Sequence, residues 1–473
     1  MAEETTYLEL SEEGGGSHKF YEVIVRDTQV SIRYGRIGDQ GQTQNSSYAT
    51  FEEAKKAAQK KIQEKVRSGY APAVMGARQK RPVTRRQVTS TRSTAKQAPV
   101  LWNFASGSPA FGIFIDERAC WLGNQSGHIF ALDQSGQPKN QFSLPEGVKC
   151  LVGDHGWIYA GCDNGKVYDL TGKIPRESYE IAEGVDIFWL DIHDGHLGVS
   201  DQGGTVALVN QEDVSLWQKN TPYRSGWMVR CDTTSVYHGH SGGVTAYDRA
   251  TGKQLWQQKT GGSVLFGWQE AEMVYAGTSD NKVYSFKKDG TPGTVYRCDD
   301  TIYSCATAPQ GKYVFAGDSS SSVYCFDESG KRLWKLGTGC GSALSMQFFQ
   351  DRLYIVTTGG HLACMDVSEA AIQAAEQGQV PQAVQVKAPP VAAALPATTL
   401  ETTSDTSRGV MLECVQEGSE LRVRVVSPGY DPALHVQFPR NIRHAGRRYL
   451  VEDVRLSAQG TFYRAYGDIK QVV

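Results

Sequence analysis

Val314-Phe-Ala-Gly317, then Val323-Tyr-Cys-Phe326, then Asp327-Glu-Ser-Gly-Lys-Arg-Leu-Trp334: the reading of this stretch decides the fold. It has two alternating strands, a turn built on Asp and Gly-Lys, and a third strand carrying an aromatic residue. The phrase returns at Val274-Tyr-Ala-Gly277 with Val283-Tyr-Ser-Phe286. Its opening recurs at Trp121-Leu-Gly123, Ile158-Tyr-Ala-Gly161, Leu197-Gly198, Val236-Tyr-His-Gly239 and Leu353-Tyr-Ile-Val356, making seven copies. A second ladder, Trp102, Phe142, Tyr179, Trp217, Trp256, Tyr296 and Trp334, steps by 40, 37, 38, 39, 40 and 38 residues. A period near 40 with alternating strands and Gly-containing turns predicts four-stranded propeller blades.

A lone blade cannot bury both faces, so the ring must close. Val100-Leu-Trp-Asn-Phe104 matches Arg332-Leu-Trp-Lys-Leu336, whereas the last copy stops at Met365-Asp366 without that strand. Residues 101–106 are therefore expected to supply the fourth strand of the seventh blade and to remove an open edge.

Ala246-Tyr-Asp-Arg-Ala-Thr-Gly-Lys-Gln-Leu-Trp256 and Cys325-Phe-Asp-Glu-Ser-Gly-Lys-Arg-Leu-Trp334 resemble the repeat of quinoprotein-type (PQQ-like) propellers. The resemblance implies a fold and leaves the chemistry open. Quinoprotein dehydrogenases typically have eight blades, a signal peptide, a vicinal Cys pair and carboxylates around calcium. This chain has seven copies and no adjacent cysteines. A quinone-dependent dehydrogenase is thus the last of the alternatives, and the expectation is no enzyme and no cofactor. His193-Asp-Gly-His196 and His238-Gly-His240 have short spacings, but no Cys or carboxylate cluster accompanies them, so no metal site is expected. Phosphate-binding loops and nucleophile elbows are absent from the sequence.

Net charge is −2, yet residues 51–96 hold 13 Lys or Arg against three acids, a surplus of +10. Residues 100–366 hold 21 basic and 29 acidic residues, a net of −8. A basic N-terminal part on an acidic body suits a polyanion. The ten cysteines are scattered without a C-x-x-C pair, as in reduced intracellular proteins. No run approaches the ~18 apolar residues of a membrane helix, and the acidic start shows no secretory leader. The expectation is a cytoplasmic protein with no membrane partner.

Residues 1–70 read as strands followed by a helix. Phe20-Tyr-Glu-Val-Ile-Val25 and Val30-Ser-Ile-Arg-Tyr34 alternate, and Thr50-Phe-Glu-Glu53 is a capping box opening a helix with Phe51, Ala54, Ala58, Ile62 and Val66 on one face. His18-Lys-Phe-Tyr21, Arg33-Tyr-Gly-Arg-Ile-Gly-Asp-Gln-Gly-Gln42 and the helix through Lys65 to Gly69-Tyr70 together resemble the WGR domain. That family is best known beside the catalytic region of DNA-dependent poly(ADP-ribose) polymerases and also occurs in bacterial proteins without that enzyme. The resemblance implies a module that binds nucleic acid, DNA ahead of RNA, or docks a partner. It places Tyr34, Gly35 and Arg36 at the W-G-R positions, with Lys19 and Gln42 as further polar contacts. An aromatic plane can stack on a base and an arginine can pair a phosphate. Tyr34 stands where the family has Trp, and alternation puts it with Val30 and Ile32, so its ring is equally suited to the core. Gly35, Gly38 and Gly41 are expected to make a tight turn.

Residues 71–99 read as a basic flexible linker in which Arg78, Lys80, Arg81, Arg85 and Arg86 add phosphate affinity. Residues 100–366 are the propeller, expected to dock an unidentified protein. Residues 367–408 are an Ala-, Pro-, Gln- and Thr-rich spacer with a short helix near Ala370–Gln379, and 409–473 a small basic β-rich domain. There Val410–Cys414 and Leu421–Val426 form a hairpin, while Arg440, Arg443, Arg447 and Arg448 make a possible second basic patch. The whole reads as a mainly β multidomain protein: a small α+β WGR-like domain, a seven-bladed propeller and a small C-terminal β-rich domain. Its expected role is a non-catalytic scaffold for nucleic acid and protein. The alternative is a protein–protein adaptor whose WGR-like module docks an enzyme supplied in trans.

Overall fold

The computed structural model describes all residues except 1–2, 11–18, 37–41, 69, 73–90, 182–186, 380–383, 390–399, 405–408, 419 and 473. The chain divides into two compact units, Met1–Pro82 and Val83–Val473.

In the first unit five strands form one sheet: β1 (Glu3–Leu10), β2 (Lys19–Arg26), β3 (Gln29–Arg36), β4 (Gln42–Ser47) and β5 (Ala71–Pro72), in the order β4-β3-β2-β1-β5. Helix α1 (Phe51–Arg67) lies on one face. Thr50 accepts the Glu53 backbone N–H at its N-terminus, and the Glu53 carboxylate accepts from the N–H of Ala49. Ala54 and Ala58 let the helix sit close on Leu8, Tyr21, Val23, Val25 and Val30. Val66, in the last turn, is 45% exposed and extends past this core.

The second unit holds seven blades. Six are four-stranded sheets in sequence order, from Ala110–Ser143 in blade 1 to Ile302–Gly337 in blade 6. Blade 7 combines Ala343–Phe349, Arg352–Thr357 and His361–Asp366 with Val100–Ala105, which pairs antiparallel to His361–Asp366. First strands of neighbouring blades touch all round, and Ala343–Phe349 meets Ala110–Ile115 to complete the ring.

Blade-to-blade packing follows the aromatic ladder. The Trp102 indole N–H donates to the Gln134 carbonyl at 3.1 Å, Trp217 to Arg249 at 2.8 Å and Trp256 to Lys288 at 2.8 Å. Each ring covers a turn glycine of the next blade (Gly136, Gly252, Gly290) with φ of 83°, 64° and 92°. A Cβ there would both strain the turn and strike the indole. Asp248 holds its turn by accepting from the Thr251 N–H at 2.8 Å and hydroxyl at 2.6 Å.

Within the two segments expected to be linker, residues 93–98, 369–376 and 384–387 pack on the folded body. Ala98 donates to the Gly337 carbonyl at 2.8 Å, Gly337 donates back to Lys96 at 2.7 Å, and the Ser93 and Ser322 hydroxyls lie 2.9 Å apart. Within 367–408, helix α2 (Glu369–Glu376) buries Ile372 and Ala375 against the core of blades 6 and 7. Val384–Lys387 adds to blade 7 as a fifth strand, parallel to Val100–Ala105. The expected spacer fails here because Ile372, Ala375 and Val386 reach apolar surface that the ring leaves bare.

The C-terminal strands Glu401–Thr403, Tyr463–Val472, Arg448–Leu456, Val410–Glu417 and Glu420–Val425 form one sheet in that order, with Val436–Gln437 also pairing to Tyr463–Val472. This domain is fastened to blades 2 and 3. Arg464, 2% exposed, ion-pairs with Asp154, whose carboxylate also accepts the N–H groups of Asp194 at 3.1 Å and Gly195 at 2.8 Å. Gln437 donates to the Tyr179 hydroxyl at 2.6 Å, and Phe462 stands against Gly195.

Candidate nucleic-acid interface

The WGR-like residues lie on the β2–β3–β4 side of the first unit. Antiparallel register sets Lys19 opposite Arg36, Tyr21 opposite Tyr34, and Tyr34 opposite Gln42. Residues directly opposite share a face, so Lys19, Tyr34 and Gln42 collect at one end of the helix-bearing face; the Arg36 side chain lies outside the described residues. Lys19 and Gln42 are exposed there.

Tyr34 satisfies both sequence readings in part. Its half-buried ring packs against Tyr21, centroids 6.2 Å apart at 31°, and belongs to the margin of the core. Its hydroxyl donates to Gln42 Oε1 at 3.2 Å and accepts from Gln44 Nε2 at 3.3 Å. Lys65, not singled out as a contact from the sequence, comes up from α1 with Nζ 4.9 Å from the Tyr21 ring centre and 5.4 Å from that of Tyr70. Burial first, then Glu64, Tyr34 and Tyr70, raises the Tyr21 phenol above its ordinary pKa, so it stays neutral. The half-buried plane of Tyr34 can stack a base, and the Lys65 ammonium can meet a phosphate. The helical position of Lys65 relative to Ala58 and Ile62 was the signal for it, because i, i+3 and i+7 spacing returns it to the sheet side.

Gly35 departs from expectation. It lies inside β3 opposite Phe20, in extended backbone, and makes no turn. Antiparallel pairing with β2 continues through Arg36. Arg33 points to the other face, 2.8 Å from Glu22 Oε2 and 4.8 Å over the Phe20 ring. Gly38 and Gly41, and Arg78, Lys80, Arg81, Arg85 and Arg86, lie outside the described residues.

The second basic patch loses one of its four expected members, Arg443. Arg443 is 7% exposed and turns inward to Glu212 Oε2 at 2.7 Å and the Leu421 carbonyl at 3.1 Å, because a buried carboxylate of blade 3 faces it. Arg440 donates to the Asp213 carbonyl at 3.2 Å, and Arg448 pairs Glu413 at 3.3 Å. Arg447 remains at the surface. Arg443 is thus structural, whereas Arg440, Arg447 and Arg448 are exposed.

His238 and His240 are fully buried in blade 4. Burial holds His238 down to about 3 and His240 to about 4, so both are neutral. His240 stacks on Tyr223 at 4.2 Å and bonds the Thr245 hydroxyl at 2.8 Å, whereas among the described residues neither ring nitrogen of His238 has a partner. All ten cysteines are unpaired thiols, nine of them buried. Among the described residues no three metal-ligating side chains gather, and no helix is long and apolar enough to cross a membrane.

Comparison with known families agrees with this architecture. Residues 4–77 match the WGR domain family, and residues 202–293, within blades 3 to 5, match the family described as outer membrane protein assembly factor BamB. The first unit is a WGR domain, and it is followed by a propeller with PQQ-like repeats. No curated protein matches the chain. Among solved structures, the computationally designed Ika8 protein aligns with 57% of this chain and all of its own, at 14% identity and a TM-score of 0.47.

Proposed function

We propose that the chain is a non-catalytic, cytoplasmic scaffold. Its WGR domain and the basic segment behind it bind nucleic acid, DNA ahead of RNA, and its propeller docks proteins. The observation that carries this reading is the WGR match over 4–77 in the part of the chain where residues 51–96 accumulate a charge of +10. The gathering of Lys19, Tyr34 and Gln42 on one face, with Lys65 over the neighbouring Tyr21, supports it. The description of the family matched at 202–293 as an assembly factor supports a docking role for the ring.

The basic segment supplies affinity through counterion release, which falls steeply with salt. The Tyr34-Gly35-Arg36 signature supplies preference for a particular DNA geometry. The test is a gel-shift titration of the full chain with DNA carrying ends, nicks or neither, at several salt concentrations. Changing Arg78, Lys80, Arg81, Arg85 and Arg86 to Ser is expected to flatten the salt slope by up to about 4–5 units and leave the nicked-to-intact ratio unchanged. Arg36→Ala is expected to erase that ratio, a loss of roughly 1–3 kcal/mol for a charge-assisted hydrogen bond. A folded full-length protein that binds no nucleic acid at low salt would end this reading.

One observation favours a second reading. The Tyr34 ring already packs on Tyr21 and its hydroxyl is engaged by Gln42 and Gln44, which suits a module that docks an enzyme supplied in trans. A co-complex purified without nucleic acid would decide for it.

A further inference from the structure

The outer strands of the blades differ in what lies beyond them. Blade 7 carries Val384–Lys387 as an added strand, α2 packs beside the outer strand of blade 6 (Arg332–Gly337), and the C-terminal domain meets that of blade 2 (Arg176–Glu180). The residue before the ladder aromatic differs from blade to blade. In the covered blades 7 and 6 it is Leu101 and Leu333, both half-buried, and in blade 2 it is Ser178. Blade 1, whose outer strand ends its sheet, places polar Gln141 there. Blades 3, 4 and 5 instead leave apolar side chains at the surface: Leu216, Leu255 and Val295 are 44%, 51% and 36% exposed, on strands that end their sheets among the described residues.

The edge of blade 4 is the most distinctive. Lys253-Gln-Leu-Trp-Gln-Gln-Lys259 contains no carboxylate, and both lysines are exposed on either side of Leu255. Lys219 and Arg297 lie in the outer strands of the two neighbouring blades, which also lack acids. A sheet edge offers a row of unpaired backbone donors and acceptors, and an extended segment can bond to it while side chains set the choice. Blade 7 shows that this ring accepts such a strand, in parallel, from a segment whose Val384 and Val386 alternate with polar residues.

We propose that the outer edge of blade 4, Gln254–Gln258, receives an extended segment of a partner protein in which apolar residues alternate with Asp or Glu. Backbone pairing gives the affinity, Leu255 takes an apolar side chain, and Lys253 and Lys259 select acidic ones. This rests on the reading of the propeller as a protein-docking body and narrows it to one edge and one partner chemistry.

The test uses the full-length chain and short fluorescent peptides in which Val alternates with Glu, or with Lys as the control. The Glu peptide is expected to bind and to slow hydrogen exchange at 254–258. Leu255→Ser, a change at an exposed side chain, is expected to weaken it about tenfold, and Lys253→Glu with Lys259→Glu to transfer the preference to the Lys peptide. No binding, equal binding of both peptides, or protection confined to 100–105 would overturn the proposal. A benzophenone side chain at position 255 then identifies the natural occupant in cells. Crosslinking to an acidic, alternating segment of another protein supports the proposal; crosslinking to a second copy, or to nothing, overturns it. If benzophenone placed elsewhere on the ring captures a partner while position 255 does not, the edge inference fails and the docking reading survives.

Discussion

The ring is sealed and the C-terminal domain is attached by two different kinds of seam. At blade 7, Val100–Ala105 joins His361–Asp366 through backbone pairing, with Trp102 and Phe104 buried among Tyr354, Val356, Leu362 and Cys364. At blades 2 and 3, the C-terminal domain is held by buried charges: Arg464 on Asp154 and Arg443 on Glu212, with Gln437 on Tyr179 between the sheets. The first seam is apolar and repeats the geometry of its neighbours. The second is particular, and its desolvated charges favour one pose, because any misplacement leaves an ion buried without its partner.

The largest test strikes the first seam. Deleting residues 97–106 removes a strand from blade 7 and exposes its core, so the propeller is expected to lose its cooperative melting transition. An unchanged melting temperature would show that the clasp does not close the ring.

The second seam comes next. Arg464→Met leaves Asp154 without its cation, and breaking a buried pair from one side costs about 3–5 kcal/mol. Asp154→Leu in the same chain is expected to restore only part of the loss, because Asp154 also caps the N–H groups of Asp194 and Gly195. Urea unfolding of the single and double variants measures this. Full restoration by the double variant would mean that the ion pair acts alone.

A third test asks how a buried polar group without a partner behaves away from both seams. The pKa of His238 is depressed, so the unfolded chain takes up the proton first and stability falls as pH drops below the ordinary histidine value of 6.5. At pH 5 this single site costs on the order of 2 kcal/mol relative to pH 7. His238→Leu is expected to flatten the urea-midpoint profile between pH 7 and 5 by that amount. A profile of unchanged slope would place the acid sensitivity elsewhere.

The smallest effect separates ordinary blade junctions from the altered one. Trp256→Phe removes an indole N–H that bonds the Lys288 carbonyl and is expected to cost about 1 kcal/mol. Among the described residues Trp334 has no acceptor for its N–H, because α2 takes the place of the usual turn in blade 7, so Trp334→Phe is expected to cost nothing by that route. Equal losses would show that the hydrogen bond contributes little at any blade.

What could be read from residue order was whatever the fold repeats or decides locally. The aromatic ladder, the Asp and Gly-Lys turns, the missing seventh outer strand, the Thr50 cap and the Val410–Val425 hairpin depend on neighbours a few residues or one period away. In a ring of repeats each blade touches only the next, so one spacing encodes every contact. Tertiary structure alone decided the rest. Arg464 meets Asp154 across 310 residues, Arg443 turns from the expected surface patch to Glu212, and Val384–Lys387 becomes a strand once Val100–Ala105 offers an edge. The side chain of Tyr34 was undecidable from alternation because a half-buried ring at a sheet margin serves the core and the surface together. Such pairings are single events with no period, and a basic or apolar residue carries no mark of the partner it will find until the surfaces are folded against each other.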